Sequence, residues 1–374
     1  MTPVELSSTV LRAVRRAVDA GELAVVVPER VQVGPPGAGG LGDYATNVAL
    51  RLARPAGRPP REVAEILRPH LSGVAEVARV EITGPGFLNI TVRGRGQALV
   101  AEVLRAGGVG GAEGQGEPYG YVAGGDDVGT GSSVRLRYPR EVRAAVSAQV
   151  LARILRSQGT LVRTSCEVAP GHGSGPGPDP AWAKPLGVTL DPDGAPGTPS
   201  APAPLDINLR PVPAGQDPTP LGRDAARWAL LHPTPHDRPH ITDEHLVQRE
   251  SNPLFRVRYA HARSRALVRN AAGLGFGGVP GEIDSSSAAG RLLDALDGYP
   301  HALSAAARHR GPDRLARHLV VTADAMLAFQ HTVLPLGDEK PSAAHRHRLA
   351  LAEAAGTVLA GGLSLLGIDA PAHL

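Results

Sequence analysis

The sequence predicts a multidomain chain of mixed α+β and α/β class, in three parts. A small α+β domain comes first, one strand–helix–strand unit lies in the middle, and an all-α helical bundle forms the C-terminus. Three observations support this prediction. Apolar residues recur first with a helical period and then with a period of two; a strand–helix–strand pattern follows a glycine-rich stretch; and helical periods fill the chain from residue 222 onward.

Composition limits the class of protein. The 374 residues suffice for two or three domains, and a hydrophobic share of 42% is ordinary for a soluble protein. The single cysteine, Cys166, excludes an internal disulfide and a multi-cysteine zinc site. With no charged leader and no run of eighteen apolar residues, we expect a cytoplasmic protein without a membrane partner. The formal charge of +3 argues against indiscriminate nucleic-acid binding but permits a local basic face.

Residues 1–105 are predicted to form the α+β domain. Helical periods cover residues 4–18, 44–52 and 63–71, the last of these preceded by two prolines. In "GPGFLNITVR" the apolar Leu88, Ile90 and Val92 alternate with other residues, which predicts a strand, and "VARVEI" is its predicted partner.

Residues 106–132 are rich in glycine and are predicted to be a flexible connector rather than a phosphate-binding loop, because no strand-to-helix setting surrounds them. Within residues 133–221, "VRLRYP" and "TLVRTSCEV" read as strands on either side of the helix "REVRAAVSAQVLARILRSQG". That is one βαβ unit, the beginning of a doubly wound sheet. Residues 222–374 show long helical periods joined by short connectors, as in a helical bundle.

Several long motifs resemble one family. "GDYATNVALRLAR", "PREVAEIL" and "EITGPGFLNITV" resemble the N-terminal additional domain of arginyl-tRNA synthetases. "NPLFRVRYAHARSRAL" and "RLALAEAAGTVLAGGLSLLGIDAPAHL" resemble its anticodon-binding bundle, and "GRDAARWALL" resembles the Asp-Ala-Leu-Arg signature that names that bundle, the DALR domain. The motifs stand in the family's order and cover about two-thirds of the chain.

The middle of the chain departs from the family. The resemblance implies a class I catalytic domain of the Rossmann type, with a His-x-Gly-His motif at the start of the first βαβ helix. Pro139, Arg140 and Glu141 stand there instead, and neither lysine of the chain, Lys184 or Lys340, lies in the family's second, lysine-rich signature. Residues 133–221 are therefore interpreted as a reduced Rossmann-like remnant.

The resemblance with this departure predicts a tRNA-binding protein that is catalytically degenerate, with no catalytic residue and no cofactor. Two alternatives remain open. One is a divergent arginine–tRNA ligase that still uses ATP for arginyl-tRNA aminoacylation, in which Arg140 and Arg143 bind a phosphate in an altered way. The other is a protein-interaction scaffold that no longer binds RNA. Besides tRNA, an enzyme that uses aminoacyl-tRNA is a candidate partner.

Two groups of residues are predicted to contact tRNA. Phe87 and Asn89 share the face of their strand opposite to the apolar one, and in the family this strand contacts the tRNA elbow. Five residues of the bundle are predicted to hold the anticodon stem, namely Arg258, Tyr259, Arg263, Arg265 and Arg269. The structural alternatives are that Phe87 caps the core and that Tyr259 and His261 hold the bundle together. The histidines of "HPTPHDRPHITDEH" are scattered among prolines, and no metal site is expected.

Overall fold

The computed structural model describes residues 3–34, 36, 42–107, 117–122, 133–167, 178–189, 205–283 and 287–374. The chain divides into two compact units, residues 1–96 and residues 97–374. Most of the predicted glycine-rich connector, residues 106–132, lies outside the described residues, as do residues 168–177 and 190–204 of the proline-rich stretch.

The first unit packs three helices on a four-stranded antiparallel sheet with the strand order β1-β2-β4-β3. Its elements are α1 (Pro3–Asp19), β1 (Val33–Gly34), β2 (Tyr44–Thr46), α2 (Val48–Ala56), α3 (Pro60–Ser72), β3 (Val77–Thr83) and β4 (Phe87–Val92). The predicted helices and the β3–β4 pair are present. The prediction of a helix from residue 44 is wrong at its start, because Tyr44–Thr46 pair with β4 as a strand. The Asp43 carboxylate, which accepts the Val92 N–H at 2.8 Å, holds this segment against β4.

A glycine fixes the position where β4 begins. In the turn between β3 and β4, Gly86 has a φ of +144°, and a Cβ atom at this position would lie 2.7 Å from the carbonyl oxygen of Pro60. Only glycine allows the turn to approach the start of α3 so closely. This approach sets the place of Phe87, the next residue along the chain.

The second unit combines a three-stranded parallel sheet, in the order β6-β5-β7, with a helical bundle. Its elements are α4 (Arg95–Ala106), β5 (Ser133–Tyr138), α5 (Val142–Ser157), β6 (Leu161–Cys166), α6 (Pro180–Ala183), β7 (Leu205–Asn208), α7 (Gly222–Leu231), α8 (Pro253–Gly273), α9 (Ser287–Asp297), α10 (Tyr299–Arg308), α11 (Pro312–Phe329) and α12 (Ala343–Leu366). The predicted βαβ unit is therefore present, and "PLDIN" adds the third strand.

Helix α12 is the core helix of the bundle. It begins with a capping box between Ser342 and His345 and ends at Gly367, whose φ of +71° is left-handed. Among the described helices it is the one that is long and apolar enough to cross a membrane, but 72% of its most apolar window is buried inside the protein. Its apolar residues form the bundle core together with residues of α8 and α11.

Candidate nucleic-acid-binding surfaces and the start of helix α5

In the first unit, the aromatic ring at the start of β4 borders a cavity of about 800 Å³. Phe87 is 40% exposed, although it is a large apolar side chain. The other residues around this cavity come from α1, from β1 and the segment that leads into it, and from β2 and the residue after it: Ser7, Ser8, Leu11, Glu29, Arg30, Val31, Gln32, Val33, Gly34, Ala45, Thr46 and Asn47. A cavity of this size can hold a nucleoside, and the ring at its edge offers a stacking face.

Asn89, unlike Phe87, is not exposed on its strand face. Its side chain is only 3% exposed, and its amide Nδ2 donates a hydrogen bond of 2.7 Å to the Thr83 hydroxyl. The reason is the strand's position: β4 lies between β2 and β3, so Asn89 is flanked by Ala45 on one side and Glu81 on the other. Asn89 thus ties the end of β3 to β4 and supports the strand that carries Phe87.

Asn47 is a site residue that the sequence did not assign. It lines the cavity beside Phe87, and its Oδ1 atom is buried without a hydrogen-bond partner among the described residues. Although Asn47 precedes the first residue of α2, its side chain does not cap that helix. A buried acceptor without a hydrogen-bond partner destabilises the folded chain. A bound ligand that donates a hydrogen bond to Asn47 Oδ1 would remove this cost. Its cue in the sequence is a polar residue inside the predicted helical period of residues 44–52.

In the second unit, helix α8 places the predicted bundle residues on two different faces. Phe255, Tyr259 and Arg263 follow one another at a spacing of four residues and share one face. The rings of Phe255 and Tyr259 stack with centroids 5.5 Å apart, and Tyr259 is 39% exposed. Arg263 Nε donates to Gln330 Oε1 at 2.7 Å. This face combines an exposed aromatic ring, stacked on a second ring, with a guanidinium.

The other predicted arginines of α8 lie on a different face. Arg258 is 3.6 Å from the Asp224 carboxylate, and Arg269 makes long contacts of 3.4 Å to the Ala372 carbonyl oxygen. Arg265 is half-buried on the same side of the helix. Near them His261 is buried and its Nδ1 lies 2.9 Å from the Pro371 carbonyl oxygen, which agrees with a structural role.

The start of α5 is the place where the family resemblance implies a phosphate-binding motif. The Glu141 carboxylate occupies it: Oε2 accepts the Ala144 N–H at 2.8 Å, and Oε1 accepts the Ala214 N–H at 3.0 Å. The first turn of a helix attracts anions because its N–H groups are unpaired and its dipole is positive there. Glu141 supplies that anion from the chain itself.

Arg143, in the first turn of α5, is buried in the protein interior. It is 1% exposed, and its guanidinium donates hydrogen bonds of 2.7–3.2 Å to five backbone carbonyl oxygens. These acceptors belong to Leu230, Val212, Asp237, Pro233 and Thr234. Burial lowers the pKa of Arg143, and the charge of Glu141 opposes this shift. All five donors of the guanidinium are used, so Arg143 has none left for a phosphate.

An α+β unit, a small parallel sheet and a C-terminal helical bundle, in this order, define a protein of the aminoacyl-tRNA synthetase class. Residues 5–92 match the family model of the arginyl-tRNA synthetase N-terminal domain, and residues 257–374 match that of the DALR anticodon-binding domain. The chain belongs to the arginyl-tRNA synthetase family.

Similar proteins span the whole chain. The arginine–tRNA ligases of Paenarthrobacter aurescens (strain TC1) and Renibacterium salmoninarum are each 28% identical to it, with full coverage of both chains. Two solved structures share the fold. Arginyl-tRNA synthetase of Thermus thermophilus has a TM-score of 0.57 at 16% identity, covering all of both chains. That of Plasmodium falciparum has a TM-score of 0.62 at 8% identity, covering all of this chain and 99% of the other.

The middle of the chain is short. The alignment with the Paenarthrobacter protein spans 557 positions, and this chain has 374 residues, so the remaining 183 positions have no counterpart here. Since the family models match residues 5–92 and 257–374, we place most of this difference between the two matched regions.

Proposed function

We propose that this protein binds tRNA through both of its ends and does not form an aminoacyl-adenylate. The observation that carries the proposal is the Glu141 carboxylate at the start of α5, hydrogen-bonded to the Ala144 N–H. Adenylate formation requires positioned donors for the phosphate charge, and a fixed carboxylate at that position repels phosphate. Arg143, the nearest buried cation in the helix, is fully used by carbonyl oxygens.

In the first unit, an unpaired base of the tRNA elbow enters the cavity beside Phe87 and stacks on its ring. Asn47 Oδ1 accepts a hydrogen bond from that base, and Asn89 positions the strand through Thr83. The exposure of Phe87 and the buried, unpaired acceptor of Asn47 in one cavity support this role.

In the bundle, Tyr259 and Arg263 contact the anticodon arm, the ring by stacking and the guanidinium at a phosphate. Arg258, Arg265 and Arg269 support that surface from the neighbouring face of α8. The bound tRNA is then protected or delivered to a cytoplasmic enzyme that uses aminoacyl-tRNA. No cofactor is needed for this role.

Two measurements on the intact chain test the proposal. A gel shift with unfractionated tRNA at about 50 mM and about 200 mM salt is expected to show binding that weakens as salt rises. Absence of a complex even at low salt contradicts tRNA binding. Pyrophosphate exchange with ATP and arginine, with and without tRNA, is expected to stay at background, and robust exchange contradicts the loss of adenylate formation.

A further inference from the structure

The first unit carries the whole formal charge of the chain. Residues 1–96 contain twelve arginines, no lysine and nine aspartate or glutamate residues, which gives a formal charge of +3. The chain has 39 basic and 36 acidic residues in total, so the other residues contain 27 of each and are balanced. An excess of positive charge on one unit favours an anionic partner there.

The exposed face of helix α2 holds two arginines of this unit. The helix buries one stripe of apolar side chains, namely Val48, Ala49, Leu52 and Ala53. With 3.6 residues per turn, Asn47, Arg51 and Arg54 fall together on the opposite side of the helix. Both arginine side chains are exposed, and α2 contains no acidic residue.

The guanidiniums of Arg51 and Arg54 are not used inside the unit. In the part of the chain that the structure describes, they make no ion pair and no hydrogen bond. Arg61 of the neighbouring helix, by contrast, pairs with Glu65 at 3.5 Å. Arg54 lies in the last turn of α2, where the helix dipole favours a cation. The dipole does not account for Arg51, which lies in the middle of the helix.

This face of α2 is continuous with the cavity beside Phe87. The antiparallel register of β2 and β4, continued by one residue, places Asn47 opposite Phe87. The Arg51 N–H donates to the Asn47 carbonyl oxygen at 3.2 Å, so Arg51 lies one helical turn beyond a residue that lines the cavity. Arg51 and Arg54 are therefore about 6 Å and about 10 Å from Asn47 along the helix axis.

We propose that Arg51 and Arg54 bind phosphate groups of the RNA strand whose unpaired base enters the cavity beside Phe87. This inference rests on the proposed function of that cavity and adds a backbone contact to its base contact. A base held at Phe87 brings the phosphates of its own strand to the start of α2. A planar guanidinium suits them because it can contact two phosphate oxygens at once. The base contact then selects the site, and the two arginines position the strand.

Fluorescence anisotropy of the intact chain with labelled tRNA, at salt concentrations from about 50 to about 200 mM, tests this contact. The double variant Arg51→Gln/Arg54→Gln is expected to lower the affinity about tenfold at the lowest salt, since two charged donors are lost. The slope of log affinity against log salt should become shallower by about 1.4, because each phosphate contact with a single strand contributes about 0.7. Arg51→Lys/Arg54→Lys should keep the slope, since both charges remain.

The matched control is the double variant Arg61→Gln/Arg79→Gln. It removes the same charge from the same unit, but both of its arginines are already paired, Arg61 with Glu65 and Arg79 with Glu81 at 2.6 Å. The control should keep the salt slope of the original chain. A loss of affinity and slope as large as in Arg51→Gln/Arg54→Gln would show that net charge alone governs binding, and it overturns the proposal.

The other outcomes separate this contact from the proposed function. Unchanged affinity and slope in Arg51→Gln/Arg54→Gln, with weaker binding by Phe87→Ala, overturn this inference and keep the elbow contact. Absence of tRNA binding by the original chain contradicts the proposed function and this inference with it. Poly-L-glutamate is the probe for an acidic protein partner, and we expect no binding. If it binds as tightly as tRNA and the double variant loses it, the face belongs to an acidic protein and the proposal is overturned.

Discussion

The Glu141 carboxylate accepts a hydrogen bond of 2.8 Å from the Ala144 backbone N–H and so caps the first turn of α5. Its other oxygen accepts the Ala214 N–H from the segment that follows β7. One side chain therefore closes the helix start and joins two segments that both follow strands of the parallel sheet. This capping contact stands where the family resemblance implies phosphate binding.

Replacement of Glu141 by alanine is expected to lower the free energy of unfolding of the second unit by about 1–2 kcal/mol, because an N-cap is lost. Urea denaturation followed by tryptophan fluorescence measures this, since both tryptophans, Trp182 and Trp228, lie in that unit. Glu250→Ala, at an exposed position, is the control and should be neutral. Equal effects of the two substitutions on the free energy of unfolding would contradict the structural role of the Glu141 cap.

Replacement of Arg143 by methionine is expected to destabilise the second unit by about 3–5 kcal/mol, because five carbonyl oxygens around this buried guanidinium lose their donor. Arg143→Lys should recover little, since an ammonium cannot reach acceptors spread around a planar guanidinium. The same denaturation experiment reports the loss, with Arg308→Met as the exposed control. A change below about 1 kcal/mol for Arg143→Met would contradict its role as an internal tie.

Phe87→Ala is expected to weaken tRNA binding about tenfold, because stacking on an aromatic ring contributes roughly 1–3 kcal/mol per base. Stability should change little, since the ring is 40% exposed. Phe87→Trp should retain binding. Val26→Ala, which shortens another exposed apolar side chain of the first unit, is the control in the gel shift. Unchanged affinity of Phe87→Ala would rule out the elbow contact.

Tyr259→Ala is expected to weaken binding of an isolated anticodon stem-loop, because it removes the exposed ring that stacks on Phe255. Fluorescence anisotropy with a labelled stem-loop measures the change. Val321→Ala, at an exposed position on α11, serves as the control. If the two variants bind equally well, the aromatic face of α8 is not the anticodon surface.

The stability of the second unit is expected to fall as the pH drops below about 6.5, the pKa of an unperturbed histidine. Burial lowers the pKa of His261 in the folded state, and burial also lowers those of His232 and His318. A lowered folded pKa means that stability is complete above the unfolded value and is lost as the pH falls through the folded one.

Substitution of His261 by asparagine tests this pH dependence. The variant should lose less stability between pH 7 and pH 5.5 than the original chain, while His236→Asn, at an exposed position, should lose as much as the original. Urea denaturation at the two pH values measures both. An unchanged pH dependence in His261→Asn would mean that the ring titrates as freely in the folded chain as in the unfolded one.

The periodic spacing of apolar residues was enough to predict the helices and strands that have one clearly apolar face. The helix of residues 4–18, the pair β3–β4 and the βαβ unit all appear where apolar spacing placed them. Tyr44–Thr46 were predicted as helix because the spacing of apolar residues there fits a helix and a strand equally well. In the folded chain these residues pair with β4 and form a strand. A contact with a distant strand leaves no periodic signal in so short a segment.

The sequence predicted less of the candidate site than of the fold. The face of Asn89 follows from alternation, but its burial depends on the flanking strands β2 and β3. The missing histidine and glycine before α5 were visible in the sequence. The use of Glu141 as the cap was not, because one of its two partners, Ala214, lies 73 residues away.

By itself, the sequence determined the class of fold, the order of the parts and the family, since these depend on local periods and long motifs. The tertiary structure decided which polar groups are satisfied. It buried Arg143 among five carbonyl oxygens, and it left Arg227 Nη2 buried without a hydrogen-bond partner among the described residues. Both are arginines that lie within a helix. Their difference arises from acceptors supplied by distant segments, which only the folded chain brings together.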